Sequence, residues 1–148
     1  MMFWHIALAA IFGLVLGLAA AWDLCTGEIL NRYAVLLLGL GAVHLLIKGC
    51  SWNSLGDCLA GSGVAAGLML VIALINDGFG GGDIKLVGAG GFYLGFIPSL
   101  FALLLSCLIA AAAWIILRQR GKATLSTKMK YGPCYAIGAV ISAILCFV

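Results

Sequence analysis

The chain has 148 residues, 65% of them hydrophobic and 9% charged, with a mean hydropathy of +1.23. A soluble domain usually carries about 25% charged residues, so this composition excludes an ordinary soluble fold. It indicates one integral membrane domain covering residues 1–148 and embedded in the lipid bilayer. The net charge of +3 gives no footprint for nucleic acid, and the placement of the positive residues matters more than their sum.

Residues 3–22 form a first apolar run, long enough to cross a hydrocarbon core of about 30 Å as a helix. No Lys or Arg precedes it, so it reads as a retained helix and not as a cleaved signal, despite Ala19-Ala20-Ala21. Gly13 and Gly17 share a helical face, a small-residue spacing that lets helices approach. Residues 23–32 are a polar loop, residues 33–47 a second and shorter apolar run, and residues 48–57 a polar turn. Residues 58–75 form a third run, with Gly63 and Gly67 again four apart. Such Gly-x-x-x-Gly faces also leave homo-oligomerisation open.

A glycine-rich polar break follows, Gly78-Phe79-Gly80-Gly81-Gly82-Asp83-Ile84-Lys85. Residues 86–97 are short for a span, Pro98 punctuates, and residues 99–117 are a full-length run. A basic loop at 118–131 holds Arg118, Arg120, Lys122, Lys128 and Lys130, and residues 132–148 form the last run. If residues 86–97 cross the membrane, Arg32, Lys85 and the five basic residues after Leu117 share one side, with Lys48 on the other. If they do not cross, that asymmetry collapses. The positive-inside rule therefore favours an all-α polytopic bundle of six transmembrane helices in the cell membrane. Both termini are then outside, and the loops holding Asp23 and Asp83 face the cytoplasm. The short fourth helix could be extended by Asp83 to Lys85, or shielded by neighbouring helices.

Chemistry rests on few residues. The acidic ones are Asp23, Glu28, Asp57, Asp77 and Asp83. Asp57 falls on the opposite side and reads as a solvated loop charge, as does Glu28 on the near side. Asp23 ends the first run and Asp83 opens the fourth, at the same face. Two carboxylates held close together cannot both ionise easily, so they can supply a general base and a general acid around one water, without a metal. The bland alternative is that both are interfacial anchors. A proton or cation pathway through a small transporter or channel subunit is another reading, and a non-catalytic assembly factor a third.

The six cysteines contain no Cys-x-x-Cys pair and no Cys/His set with zinc spacing. Cys25 lies two residues from Asp23 but has no nearby His to activate it. Cys50 and Cys58 flank a loop and could pair in an oxidising compartment. Gly80 and Gly82 frame Asp83 and suit a close backbone approach. Asn31 could cap the second helix or bind loop backbone. Lys85 could pair with an acidic group or serve as an interfacial anchor. His5 and His44 fall toward the far side, where an interfacial role is expected.

The stretch Gly80-Gly81-Gly82-Asp83-Ile84-Lys85-Leu86 resembles the Gly-x-Gly-Asp-x-Lys motif of the type IV prepilin peptidases, aspartic proteases of the membrane. Asp23 is followed by Ile29-Leu30-Asn31 where that family has Ile-Pro-Asn, and Leu30 departs from the proline. Tyr131-Gly132-Pro133, with Ala136-Ile137-Gly138-Ala139, is similar to the Phe-Gly-Pro segment opening the family's last helix. The resemblance covers nearly the whole chain. It implies that Asp23 and Asp83 are the catalytic pair and that Asp77 is not. It implies a pilin-like precursor as substrate: a short basic leader, a glycine at the cut site, then a hydrophobic helix. The loop at 23–32 is too short for the zinc-binding insert of larger members, so peptidase activity is expected without methyltransferase activity. The compact form resembles minimal peptidases of adhesion-type or competence-like systems, and archaeal preflagellin peptidases.

Overall fold

The computed structural model describes residues 2–75, 80–120 and 130–147, with Asp77, Lys122 and Lys128 outside that set. Among the described residues the structure is all-helical: α1 Met2–Thr26, α2 Asn31–Ile47, α3 Trp52–Ile75, α4 Gly81–Leu94, α5 Phe96–Gln119 and α6 Gly132–Phe147. Three of these helices, spanning Trp4–Thr26, Trp52–Ile75 and Phe96–Gln119, are long and apolar enough to cross a membrane.

Large apolar side chains point outward. Leu14, Leu36, Leu74, Leu104 and Leu145 are all exposed, while alanines such as Ala19, Ala65, Ala102 and Ala139 are buried. Lipid tails are as apolar as leucine, so membrane helices gain by close packing of small residues inside. Buried serines are satisfied locally or across helices: Ser106 Oγ donates to Leu103 O at 2.8 Å and Ser142 Oγ to Pro98 O at 2.6 Å. The tryptophans mark two levels. Trp4 and Trp52 are exposed at one end of the bundle and Trp22 at the other, where Arg118 also lies 5.1 Å over the Trp114 ring. At 1.5 Å per residue, Trp4 to Trp22 spans about 27 Å, close to the hydrocarbon thickness that aromatic belts bracket.

The shortest helix lies in the middle. α4 has 14 residues, about 21 Å by helical rise, and packs against α2, α3, α5 and α6. Leu86, Val87, Gly88, Ala89, Gly90, Gly91, Tyr93 and Leu94 are all buried. Glycine makes this position possible. A Cβ added at Gly61 of α3 would stand 2.6 Å from Gly91 O, and one at Gly91 would stand 2.6 Å from Gly61 O. On the α2 side, a Cβ at Gly41 would stand 2.6 Å from Phe92 Cδ1.

Several boundaries differ from the sequence expectation. α1 continues through Asp23 to Thr26, and α3 begins at Trp52 instead of residue 58. The break between α4 and α5 falls at Gly95, with φ of 86°, and not at Pro98. Pro98 sits in the first turn of α5, where a missing N–H costs nothing. Asp57 is not a loop charge: it belongs to α3, and its Oδ1 accepts the Phe96 N–H at 3.1 Å, tying down the start of α5. The close helix contacts are at Gly61 and Gly91, whereas Gly17, Gly63 and Gly67 face open space. Cys50 and Cys58 are unpaired. His44 is buried and its Nδ1 meets Tyr93 O at 3.2 Å, which makes it a core residue and not an interfacial one.

These contacts predict an asymmetry. Gly61→Ala should cost about 1–3 kcal/mol from overpacking, while Gly63→Ala, with open space around it, should be neutral or mildly stabilising. Thermal unfolding of the two variants in detergent micelles checks this.

Candidate active site

Pairings at the helix ends define two poles. At one pole, the His5 and His44 rings lie 5.5 Å apart and Asp57 meets the α4–α5 junction. At the other, Lys85 Nζ of α4 donates to Asn31 Oδ1 of α2 at 3.1 Å, and Gly132 N–H of α6 donates to Asp23 Oδ2 of α1 at 3.1 Å. This second pole gathers the C-terminus of α1 and the N-termini of α2, α4 and α6. It therefore holds Asp23, Asp83, Lys85 and Asn31 together.

Both carboxylates are shielded, Asp23 being 4% and Asp83 7% exposed. Burying a charged or polar group is costly unless it is hydrogen-bonded, and each carboxylate has found a helix start. The first N–H groups of a helix have no partner within it, and the helix dipole favours negative charge there. Asp83 occupies the first turn of α4, and its Oδ2 accepts the Gly80 N–H at 3.0 Å. Asp23 reaches across to the first residue of α6. The next residue there, Pro133, has no N–H to offer, so Gly132 is the donor at that start. Asp23 lies near enough for its charge to bear on Asp83. Each keeps its Oδ1 without a protein hydrogen bond among the described residues. Two carboxylate oxygens with no protein donor can accept from a water and exchange protons with it.

The surrounding residues have definite tasks. Gly82 lets α4 start against the α1–α2 loop, since a Cβ there would stand 3.0 Å from both Ile29 Cβ and Ile29 O. Gly80 allows no comparable approach; it is the extended residue before α4 and lends its N–H to Asp83. Asn31 does not cap α2: Leu30 holds the cap position, with no side-chain cap bond. Instead the Asn31 side chain takes Lys85, and both residues are exposed. Glu28 is exposed, as expected. Asp77 lies outside the described residues. No group of three or more His, Cys, Asp or Glu that could hold a metal occurs among the described residues. A groove of about 400 Å³ between α1 and α6, lined by His5, Ala9, Gly13 and Val140, lies toward the opposite pole.

Two further groups serve this pole that sequence reasoning did not single out. Lys130 Nζ donates to Leu24 O, beside Asp23. Gly132 was visible only as part of Gly-Pro at a helix start; nothing in its spacing reveals that its N–H is spent on a residue of α1. A Cβ on Gly132 would stand 2.8 Å from Asp23 Oδ2 and 3.2 Å from Asp23 Cβ, so only glycine allows this contact.

The fold and this pole define a class: a helical membrane protein that holds two shielded carboxylates at one end of its bundle. The match to known families is more specific. The type IV leader peptidase family matches residues 10–116, most of the chain, and the chain belongs to that family. The matched range includes both aspartates and the glycine-rich break. No curated protein and no solved structure matches the chain. Family membership makes this a membrane protein of the protease class.

The Gly132 contact yields a test. Gly132→Ala should push the Asp23 carboxylate off its donor and lower peptidase activity on the order of a hundredfold, the scale of an ångström-level misplacement. Far-ultraviolet circular dichroism should show unchanged helix content.

Proposed function

We propose that this chain is an aspartic endopeptidase that removes the leader of type IV pilin-like precursors. The observation that carries the reading is the pair itself: Asp23 and Asp83, both buried, sit at one pole of a leader-peptidase fold, each bonded to a backbone N–H at a helix start. The pair shares one proton. The ionised carboxylate takes a proton from water as its oxygen attacks the scissile carbonyl carbon. The protonated partner gives its proton to the amide nitrogen that leaves. The two carboxylates titrate as a unit, so the order of roles belongs to the pair.

The membrane arrangement belongs to the same proposal. All six helices cross the inner membrane, with α4 shielded by its neighbours and the carboxylate pole in the cytoplasm. Arg32, Lys85, Arg118, Arg120 and Lys130 lie at or beside that pole, against Lys48 at the other, which is the bias the positive-inside rule describes. The substrate enters from the bilayer as an apolar helix with its basic leader in the cytoplasm, and is cut after a glycine. A peptide bond in a helix must unwind before water reaches its carbonyl, and glycine is the residue that unwinds most readily. Lys85, exposed beside Asp83 and bonded to Asn31, can pair with a carboxylate of the substrate or anchor at the interface. A transporter subunit is less well supported: both carboxylates sit at one end, and among the described residues no broken-helix repeat places them at mid-depth.

Co-expression with a pilin-like precursor provides the test. Asp23→Asn and Asp83→Asn should each abolish the size shift that marks leader removal, and Asp77→Asn should leave most of it. Full processing by Asp83→Asn would end the aspartic-protease reading. Loss with Asp77→Asn alone would move the second carboxylate.

A further inference from the structure

We propose that Tyr135 is a positioning residue that fixes the separation between Asp23 and Asp83; this rests on reading the two as the catalytic pair. α1 and α4 meet through the Phe12–Tyr93 ring stack, 4.2 Å between centroids, toward the opposite pole, and both α2 and α6 pack on the two helices. Of α2 and α6, α6 is the one whose backbone bonds an active-site carboxylate directly, so it links Asp23 to α4. Its first residue holds Asp23 through the Gly132 N–H. One turn further on, the Tyr135 hydroxyl donates to Val87 O of α4 at 3.3 Å. Val87 in turn lies one turn beyond Asp83.

α4 is shaped to receive this side chain. A Cβ added at Gly90 would collide with the Tyr135 hydroxyl oxygen and stand 3.1 Å from Cε1 and Cζ. Tyr135 is 1% exposed, and its ring stacks on Tyr131 with centroids 6.3 Å apart. The Tyr131 hydroxyl is shared with Ser106 of α5, so the brace is fixed from behind. Filling space alone would need only a phenyl ring. The hydroxyl reaching a backbone oxygen past a glycine gives the contact a set length. With a turn of helix on each side, a shift at the brace passes almost undiminished to the carboxylates.

The experiment uses the full chain in nanodiscs and a synthetic precursor peptide with a basic leader, a glycine and an apolar segment. Spin labels at Thr26→Cys and Gly81→Cys, with the native cysteines replaced, report the distance between the ends of α1 and α4. Gly90→Ala should displace the hydroxyl, shift that distance, and lower kcat on the order of a hundredfold with KM little changed. Adding Tyr135→Phe, which removes the displaced oxygen, should return both the distance and most of kcat. Tyr135→Phe alone, nearly isosteric, should broaden the distance distribution. An unshifted distance in Gly90→Ala, no return in the double variant, or no broadening in Tyr135→Phe would each overturn the brace. A distance that shifts and returns while kcat stays constant would support the brace and overturn the catalytic-pair reading instead.

Discussion

A carboxylate shut away from water needs a donor, and at this end of the bundle the donors are the spare N–H groups of helix starts. Asp83 takes the one offered by Gly80 at the start of its own helix, and Asp23 the one offered by Gly132 on another. The remaining features of the pole depend on these two contacts. A first-turn aspartate needs α4 to begin where it does, which needs Gly82 against Ile29. An aspartate late in α1 needs α6 to arrive beside it with no side chain in the way, which needs Gly132. The arrangement leaves one oxygen of each carboxylate without a protein donor, which acid–base hydrolysis of a bound water would use.

The bundle solves a length problem in the same way. α4 is too short to stand alone in a bilayer, yet its start carries Asp83 and its end meets Asp57 at the opposite pole. Glycines at 41, 61, 88, 90 and 91 let its neighbours close around it, so in the proposed six-span arrangement lipid would meet little of its backbone. Irregular or short elements are tolerated at membrane depth when protein encloses them. The leucines and isoleucines that would fill a soluble core face outward instead.

Much of this was legible from the residues. An apolar chain with one glycine-rich polar break, and basic residues grouped by side, is enough to infer a helical membrane bundle and to bring residues 23 and 83 to one pole. Helix ends were less legible. Asp23 looked like the first loop residue because hydropathy falls there, but a helix end is set by hydrogen bonding and not by polarity, and α1 continues to Thr26. Pro98 looked like the break, although proline is at home in a first turn and the true break needs the positive φ of Gly95. Glycine spacing located possible contact faces but not actual ones: Gly63 and Gly67 face outward, while the close crossing is at Gly61 and Gly91. The partners of Asn31, Asp57 and Tyr135 lie 54, 39 and 48 residues away in sequence, and local patterns carry no trace of such pairs.

The central claim is that Asp23 and Asp83 come together at one face of a leader-peptidase bundle. The most direct measurement is cross-linking of Asp23→Cys with Asp83→Cys in a chain whose six native cysteines are replaced, using a short bifunctional thiol reagent in native membranes. Proteolysis between α2 and α3 then reads the result. The account predicts that the two fragments stay joined only when both engineered cysteines are present. Fragments that separate fully, with both thiols modified but unlinked, would contradict it.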